Sequence, residues 1–387
     1  MPHQLSLRTR RRWRASLSLV AALCLVTNWT AAVFADDPVS SSVRFNREII
    51  RILQRRCLPC HVPGGLAVPL NSYRQVRDWG RAIREELVEQ RMPPGTVAPG
   101  YGRFENALGL TAREMTTLLT WLDGGMPRGE DRDLPASLDP VTGETPRDSS
   151  DLRLALPQQH VPAFEDLVIR RVTIDTRLPA DRLVSRVVVR PGSPAILRGA
   201  LVYEGQGERS WVGAWLPWQR AFAAPITHGF RLPKGARLSV VLFYRGGDEA
   251  AVDRSAVELH FADRARLPIE SLRVDAAIST TTLGGERMGQ LTLASATTIW
   301  ALQPSAAHST RSLELRARRP DLSMEVMLWV PAVRSEWPSA VVLQEPLVLP
   351  AGTVLTLSTY GGSAAAPPDH VILSTWRGQP RTKSPSE

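Results

Sequence analysis

The pentapeptide Cys57-Leu58-Pro59-Cys60-His61 holds the residues best suited to chemistry in this 387-residue chain. Two thiols separated by two residues and followed at once by an imidazole form the pattern C-x-x-C-H. In that pattern both thiols can form thioethers with the vinyl groups of a haem, and the histidine can bind the iron. The motif therefore predicts one covalent haem c on Cys57 and Cys60, with His61 as the proximal iron ligand.

Two other uses of the cysteine pair fit the sequence less well. A zinc site needs a second pair of ligands at metal spacing, but the only other cysteine is Cys24 and the next histidine is His160. A thioredoxin-like pair would follow a strand and open a helix, whereas this pair ends a helical pattern over 45–56. A reactive dithiol or a disulfide stays open as an alternative.

The first 35 residues have the composition of a secretory signal. Five arginines between Arg8 and Arg14 precede an apolar run from Ala15 to about Phe34, which ends in an A-x-A-like site before two aspartates. Because haem c is attached outside the cytoplasmic membrane, we expect an exported protein of the periplasm or cell envelope. The run is almost long enough to span a bilayer, so membrane association through an uncleaved segment remains an alternative.

Removal of those five arginines would lower the formal charge from +9 to +4. The remaining lysines and arginines are scattered and no nucleic-acid motif accompanies them, so we expect no nucleic-acid partner. The chain that remains is long enough for two or three domains. The redox donor and acceptor are not identified by the sequence.

The pattern of the chain changes near its first third. Apolar residues recur at helical spacing within 43–129, and later segments are short and β-rich with glycine or proline close by. The fold class predicted is therefore multidomain, with a small all-α domain followed by all-β sandwiches. The predicted helices cover 45–56, 73–90 and 111–123. The predicted divisions are a signal at 1–35, a cytochrome c domain at 43–129, a linker at 130–160, and β-sandwiches at 161–265 and 266–380.

Met92 is the candidate for the sixth iron position. It precedes Pro93 and Pro94 just after the second predicted helix, and two prolines stiffen a loop that could hold a thioether over the haem. Met126 is the competing candidate. Ligation by histidine and methionine raises the reduction potential and leaves no open iron site, which favours electron transfer over oxygen chemistry.

Several segments carry a resemblance to known families. The runs 56–65, 92–94 and 121–125 resemble bacterial cytochrome c domains of planctomycete and acidobacterial type. Those domains are often fused to a copper type II, ascorbate-dependent monooxygenase module, similar to peptidylglycine α-hydroxylating monooxygenase. The segments 190–192 and 349–353, among others, look like that module. The resemblance implies two tandem jelly-roll-like sandwiches after the cytochrome domain.

The copper ligands of that family are replaced in this chain. The five positions that align with its histidines hold residues without an imidazole, namely Arg198, Gly199, Phe243, Ser305 and Ala307. An arginine repels a cation, and glycine, phenylalanine and alanine side chains offer no ligand atom. We therefore expect no copper, no catalytic residues and no monooxygenase activity.

The resulting hypothesis is an exported monohaem c-type cytochrome that transfers electrons, with a copper-less β-module that recognises a partner or ligand. One alternative is a copper-dependent monooxygenase whose ligands are rearranged to His228, His260 or His308 and whose electrons come from the haem. A second alternative is a structural protein of the cell envelope, in which the haem mainly stabilises a small domain.

Overall fold

The computed structural model describes residues 41–94, 97–140, 150–219, 221–262, 267–278, 286–338, 340–362 and 366–377. Strands hold 42% of the residues and helices 14%, so the protein is mostly β, as the sequence predicted. The predicted signal segment lies outside the described residues. Of the helices that the structure describes, none is both long and apolar enough to cross a membrane.

The helices all lie in the first part of the chain, which we call the helical segment (residues 43–133). A π-helical turn, Phe45–Ile49, leads into α1, and a short 3-10 turn, Asp131–Asp133, closes the segment. The α-helices are α1 (Ile50–Arg56), α2 (Tyr73–Asp78), α3 (Gly80–Val88) and α4 (Ala112–Asp123).

The predicted helix over 73–90 is interrupted at Trp79, where α2 ends and α3 begins. Gly80 follows the break, and glycine lowers the stability of a helix interior. The glycine also makes room for a neighbour, because a Cβ at Gly80 would lie 2.5 Å from the Met126 sulfur. The interruption is therefore explained by close packing of the loop after α4 against α3.

A separate apolar core holds the helices together. Phe45 and Trp121 are each 1% exposed and their ring centroids lie 5.9 Å apart. Burying large aromatic and aliphatic side chains supplies most of the stability of short helices such as these. Thr111 fixes the start of α4 through a capping box, in which Thr111 and Glu114 each accept a hydrogen bond from the other residue's backbone N–H.

The remainder of the chain, residues 150–377, forms what we call the β-module. Its first sandwich has a sheet in the order β1-β11-β4-β8, with β7 beside β4, and a facing sheet in the order β3-β9-β5-β6. The strands are β1 (Leu152–Ala155), β3 (Val168–Asp175), β4 (Arg182–Arg190), β5 (Leu197–Glu204), β6 (Ser210–Trp215), β7 (Phe222–Ala223), β8 (His228–Leu232), β9 (Arg237–Tyr244) and β11 (Ala256–Phe261). The short strands β2 (Gln159–Val161) and β10 (Ala251–Asp253) pair with each other.

The second sandwich packs the strands β17-β14-β19-β12 against β13-β18-β15-β16. These strands are β12 (Leu267–Ile278), β13 (Arg287–Thr292), β14 (Thr297–Ser305), β15 (Ser312–Arg318), β16 (Met324–Val330), β17 (Val341–Leu349), β18 (Val354–Tyr360) and β19 (Asp369–Arg377). Alternating apolar residues from both sheets face inward, as a sandwich core requires.

The long strand β12 belongs to both sandwiches. Its first residues, 267–269, pair in parallel with β8, and residues 270–276 then pair antiparallel with β19. The strand can belong to both because an extended segment has backbone hydrogen-bonding groups on both of its sides. The predicted division at 265/266 falls just before this shared strand.

The segment expected to be a linker at 130–160 contributes strands to the β-module. Residues 152–155 form β1 on the edge of β11, and β2 begins at Gln159. Leu152 and Leu154 alternate with exposed residues, a two-residue period that suits an edge strand. Strands therefore begin before residue 160, the predicted end of the linker, and an alternating pattern of only four residues is a weak sequence signal for the first of them.

A loop of the helical segment docks on the second sandwich. Phe104 forms an antiparallel bridge with Leu343 of β17, and its side chain joins the second sandwich's core. The Asn106 side chain donates to the Ala340 carbonyl at 2.7 Å and accepts from the Val342 N–H at 2.8 Å. The helical segment is therefore hydrogen-bonded to the β-module like an additional edge strand.

Candidate cofactor-binding site

The residues of the C-x-x-C-H motif lie in a tight turn at the end of α1. The Cys57 N–H donates to the Leu53 carbonyl at 2.8 Å, and the His61 N–H donates to the Cys57 carbonyl at 3.0 Å. Leu58 is fully buried and anchors the turn in the helical core. The turn thus fixes both thiols and the imidazole relative to α1.

The imidazole of His61 has a defined tautomer. Its Nδ1 lies 2.8 Å from the Val68 carbonyl oxygen, and because a carbonyl can only accept, Nδ1 carries the proton. Burial lowers the pKa of His61, and the hydrogen bond to Val68 only partly opposes this. The neutral ring therefore keeps its lone pair on Nε2, the arrangement found in metal-binding histidines whose second nitrogen is held by a carbonyl.

Cys57 and Cys60 are both free thiols. Burial raises the pKa of each to about 12, so both stay protonated at neutral pH. Reactive redox pairs depend on a thiolate, which exposure and positive charge stabilise. The environment is thus unlike that of a dithiol oxidoreductase, the alternative that the sequence left open.

The four residues that the sequence singled out line one cavity of about 360 Å³. Cavities of this size are typical of cofactor and small-molecule sites. Most of the uncharged wall is apolar and comes from the helical segment, including Leu53, Leu66, Ala67, Val68, Leu70, Trp79, Ala82, Ile83, Leu87, Leu108 and Leu118. A flat apolar group that contains a metal would fit this cavity, because the wall is apolar and includes the His61 imidazole as a possible metal ligand.

Met92 reaches this cavity from the loop after α3, and its side chain is 37% exposed. Met126 does not line it. The Met126 side chain packs instead against Gly80 and Leu122, and Tyr73 donates to its backbone carbonyl. Of the two candidate thioethers, the structure brings only Met92 to the cavity that His61 lines.

Charged groups surround the cavity. Arg56 pairs with Glu114 at 3.1 Å and Arg91 pairs with Glu86 at 2.9 Å, both within the helical segment. Three further arginines come from the β-module, namely Arg198, Arg245 and Arg334. The sequence alone did not place these arginines in the site. They reach it only through the docking of the helical segment on the β-module, and such docking leaves no pattern in the neighbouring sequence.

The positions that the resemblance aligns with copper ligands are divided between two places in the structure. Gly199 on β5 pairs in register with Phe243 on β9. Phe243, Ser305 and Ala307 line a second cavity, of about 310 Å³, between the two sandwiches.

The three histidines considered for a rearranged copper site, His228, His260 and His308, each contact a different neighbouring side chain. His228 stacks on Trp376 with ring centroids 4.0 Å apart, and His308 lies 2.9 Å from the Ser335 hydroxyl. His260 is 3.0 Å from Arg186. Within the described residues, no three histidine, cysteine or acidic side chains form a group that could hold a metal ion.

The chain has no match among protein-family models or curated proteins. Several solved structures are similar at low level. Three of them are PBCV-1 VP54 fitted into a reconstruction of the virophage Sputnik (7% identity, 60% of this chain and 95% of that chain, TM-score 0.20), a Paenibacillus xanthan lyase (10%, 62% and 28%, 0.17) and the Macrobrachium rosenbergii nodavirus (8%, 65% and 99%, 0.18). Scores this low do not establish a shared topology. The interpretation of the site therefore depends on the geometry described above.

The pair Arg56–Glu114 makes the stability of the helical segment depend on pH. Burial alone would raise the pKa of Glu114, but the Thr111 N–H and the Arg56 guanidinium together lower it below its ordinary value of 4.5. A carboxylate with a lowered pKa stabilises the fold above its unfolded pKa, and that contribution is lost as pH falls through the folded pKa. Glutamine can still complete the capping box, so Glu114→Gln removes mainly the charge.

We therefore predict that Glu114→Gln lowers the free energy of unfolding by roughly 1 kcal/mol at neutral pH, and that the difference shrinks to zero in acid. Denaturant unfolding followed by helical circular dichroism across a pH series measures it. Glu345→Gln, which removes an exposed pair with Arg103 at 3.7 Å, is the control and should change little. A difference between wild type and Glu114→Gln that persists at low pH would contradict the assignment.

Proposed function

We propose that the helical segment is a c-type cytochrome domain that binds one haem covalently and that the protein transfers electrons outside the cytoplasm. The observation that supports this most directly is the convergence of Cys57, Cys60, His61 and Met92 on one cavity. Met92 is separated from the motif by two helices, so its presence there is independent of the C-x-x-C-H spacing.

The donor set suits a haem. Each protonated thiol can add its S–H bond across a vinyl double bond, a reaction that balances without an oxidant. His61, through its Nε2 lone pair, and Met92, through its thioether sulfur, would be the residues that hold the iron. When bound, the haem supplies a one-electron couple between ferric and ferrous iron.

The surrounding residues tune that couple. Apolar walls exclude water and lower the local dielectric constant, which disfavours the additional positive charge of ferric iron. The hydrogen bond from His61 Nδ1 to Val68 holds the ring orientation. Pro93 and Pro94, both buried, stiffen the loop that presents Met92. If His61 and Met92 both bound the iron, it would have no open position, which would suit electron transfer.

The β-module would serve recognition without copper. We propose that its two sandwiches, jelly-roll-like in arrangement, bind a redox partner or a ligand beside the cytochrome domain. The residues at the aligned copper positions offer no imidazole, and three of them, Phe243, Ser305 and Ala307, border a cavity of about 310 Å³ between the sandwiches. Export to the periplasm or cell envelope follows from the composition of residues 1–35, with membrane association if that segment is retained.

Covalent attachment is the first expectation to test. Mass spectrometry of protein produced with haem-maturation machinery should show one haem increment, which the double variant Cys57→Ser/Cys60→Ser should lack. His61→Ala should keep the thioethers but lose the low-spin absorption spectrum, because the strong-field proximal ligand is gone. His160→Ala, at an exposed histidine outside the cavity, is the matched control. A wild-type protein without the increment would refute the haem assignment.

Met92→Ala should open the sixth iron position. Loss of the thioether should lower the reduction potential and raise the affinity for an exogenous ligand such as imidazole by about tenfold or more. Met126→Ala should destabilise the helical core yet leave the spectrum and the potential unchanged, because Met126 packs against Gly80. The opposite behaviour of the two variants would show that Met126 is the ligand.

The β-module should bind no stoichiometric copper. Metal analysis after copper loading and desalting is expected to find less than one equivalent per chain, and ascorbate should not drive copper-dependent oxygen uptake. The physical reason is the absence of imidazoles at Arg198, Phe243 and Ala307. Two tightly held copper ions per chain would instead favour a monooxygenase.

A further inference from the structure

Three arginines of the β-module form part of the cavity wall that also contains the C-x-x-C-H motif. They are Arg198 on β5, Arg245 directly after β9, and Arg334 in the loop after β16. Two different sandwiches therefore supply cations to one cavity, and Glu336 and Trp337 are the other β-module residues among those that line it.

The backbone of the first sandwich presents two of these arginines. The pairing of β5 with β9 shifts register between Leu197 and Gly199, so Arg198 lies at a bulge. Bulges turn a side chain away from the direction that the strand alternation would give it. Arg245 is held beside it, because its backbone N–H donates to the Ile196 carbonyl at 2.9 Å.

The third arginine belongs to a turn of the second sandwich that packs on the first. The Trp337 N–H donates to the Arg334 carbonyl at 2.9 Å and closes the turn. Pro338 lies so close to Gly199 that a Cβ there would come within 2.4 Å of its Cγ. The Arg198 guanidinium lies over the Trp337 ring, 5.4 Å from its centroid. The arrangement is therefore fixed by tertiary packing.

The charges on the cavity wall do not balance. Five arginines and two glutamates line it, which leaves a formal charge of +3. Arg56 and Arg91 have carboxylate partners within the helical segment, Glu114 and Glu86. The excess positive charge therefore lies mainly on the side that the β-module contributes.

The β-module arginines have little compensation. Arg198 donates to the Asp166 carbonyl oxygen at 2.9 Å, and Arg334 is 3.8 Å from Glu336. Arg245 makes no side-chain hydrogen bond or ion pair within the parts of the chain that the structure describes. Burial, followed by the positive charge of Arg245, lowers the pKa of Arg198, although Glu336 and Asp166 oppose this. Cations held close together in this way favour an anion between them.

We propose that Arg198, Arg245 and Arg334 bind the propionate carboxylates of the haem, an inference that rests on the haem site proposed above. A haem carries two propionates on the porphyrin edge remote from its vinyl groups, and planar guanidinium groups pair well with carboxylates. Two anionic groups would offset most of the +3 excess. The β-module is thereby part of the cofactor site and fixes the propionate edge, while Cys57 and Cys60 fix the vinyl edge.

The test compares haem-loaded variants of the full protein. Arg198→Gln, Arg245→Gln, Arg334→Gln and the triple variant are titrated for haem midpoint potential, with Arg318→Gln, an exposed arginine of β15 outside the cavity, as control. Removing a cation favours ferric haem, so each variant should have a lower potential. At a fixed ambient potential, the ratio of ferrous to ferric haem should fall on the order of tenfold in the triple variant.

The pH dependence of the reduction potential distinguishes two cases. In one the arginines pair directly with the propionates, and in the other they affect the iron only through their charge at a distance. Protonating a propionate raises the potential, and pairing with arginine keeps the propionates ionised to lower pH. The rise should therefore begin at higher pH in the glutamine variants than in wild type. The other charged or titratable groups on the wall, His61, Glu86, Glu336, Arg56 and Arg91, are retained in every variant and serve as a constant background.

Arg245→Gln is the decisive single variant, because Arg245 is exposed and, among the described residues, its side chain makes no hydrogen bond or ion pair that the substitution would break. The conservative Arg245→Lys should restore part of the potential by its charge. If the haem is attached and six-coordinate but all three glutamine variants match Arg318→Gln in potential and pH dependence, the proposal is overturned while the cytochrome assignment stands. A wild-type chain that carries no covalent haem overturns both.

Discussion

The antiparallel contact between the loop around Phe104 and β17 is the constraint on which the candidate site depends. Backbone hydrogen bonds join Glu105 to Val342 and Gln344 to Arg103, each at 2.9 Å, and Asn106 adds its side chain to the same edge. Hydrogen bonds of this kind are individually modest but leave buried donors and acceptors unsatisfied when broken. This contact helps to hold the helical segment against the β-module, which contributes three of the five arginines on the cavity wall.

A second contact with the second sandwich, at Trp329 of β16, follows Met92 in the chain. The loop that carries Met92 leads within a few residues to Ala98, whose N–H donates to the Trp329 carbonyl at 2.8 Å. Tyr101 then packs edge-on against the Trp329 ring, with centroids 4.9 Å apart. The proposed distal ligand is therefore held between α3 on one side and the second sandwich on the other. A thioether is a weak iron ligand, so restraining its loop at both ends favours a single coordination geometry.

The sequence predicted the features that have a local signature. The C-x-x-C-H spacing and the proline pair after Met92 identified residues that share one cavity. Short β-rich segments with glycine or proline close by identified a mostly β module with sandwich sheets. Residues brought together by docking carry no such signature. The sequence singled out Arg198 only as a position where a copper ligand is replaced. In the structure Arg198 lies at a bulge of β5, and its side chain lines the cavity that contains the C-x-x-C-H motif. Short or shared elements were also missed, since β1 spans only four residues and β12, which begins just after the expected boundary, pairs with strands of both sandwiches.

The shared strand β12 has a mechanical consequence. Proteins with two tandem domains commonly open and close a cleft by rotation about a flexible connection. Here such a hinge would have to bend a continuous strand that pairs with β8 at its start and with β19 along most of its length. Rotation would cost several backbone hydrogen bonds at once. The cleft between the sandwiches is therefore a rigid recess, and its shape can adjust only through side chains and loops such as the turn at Trp337.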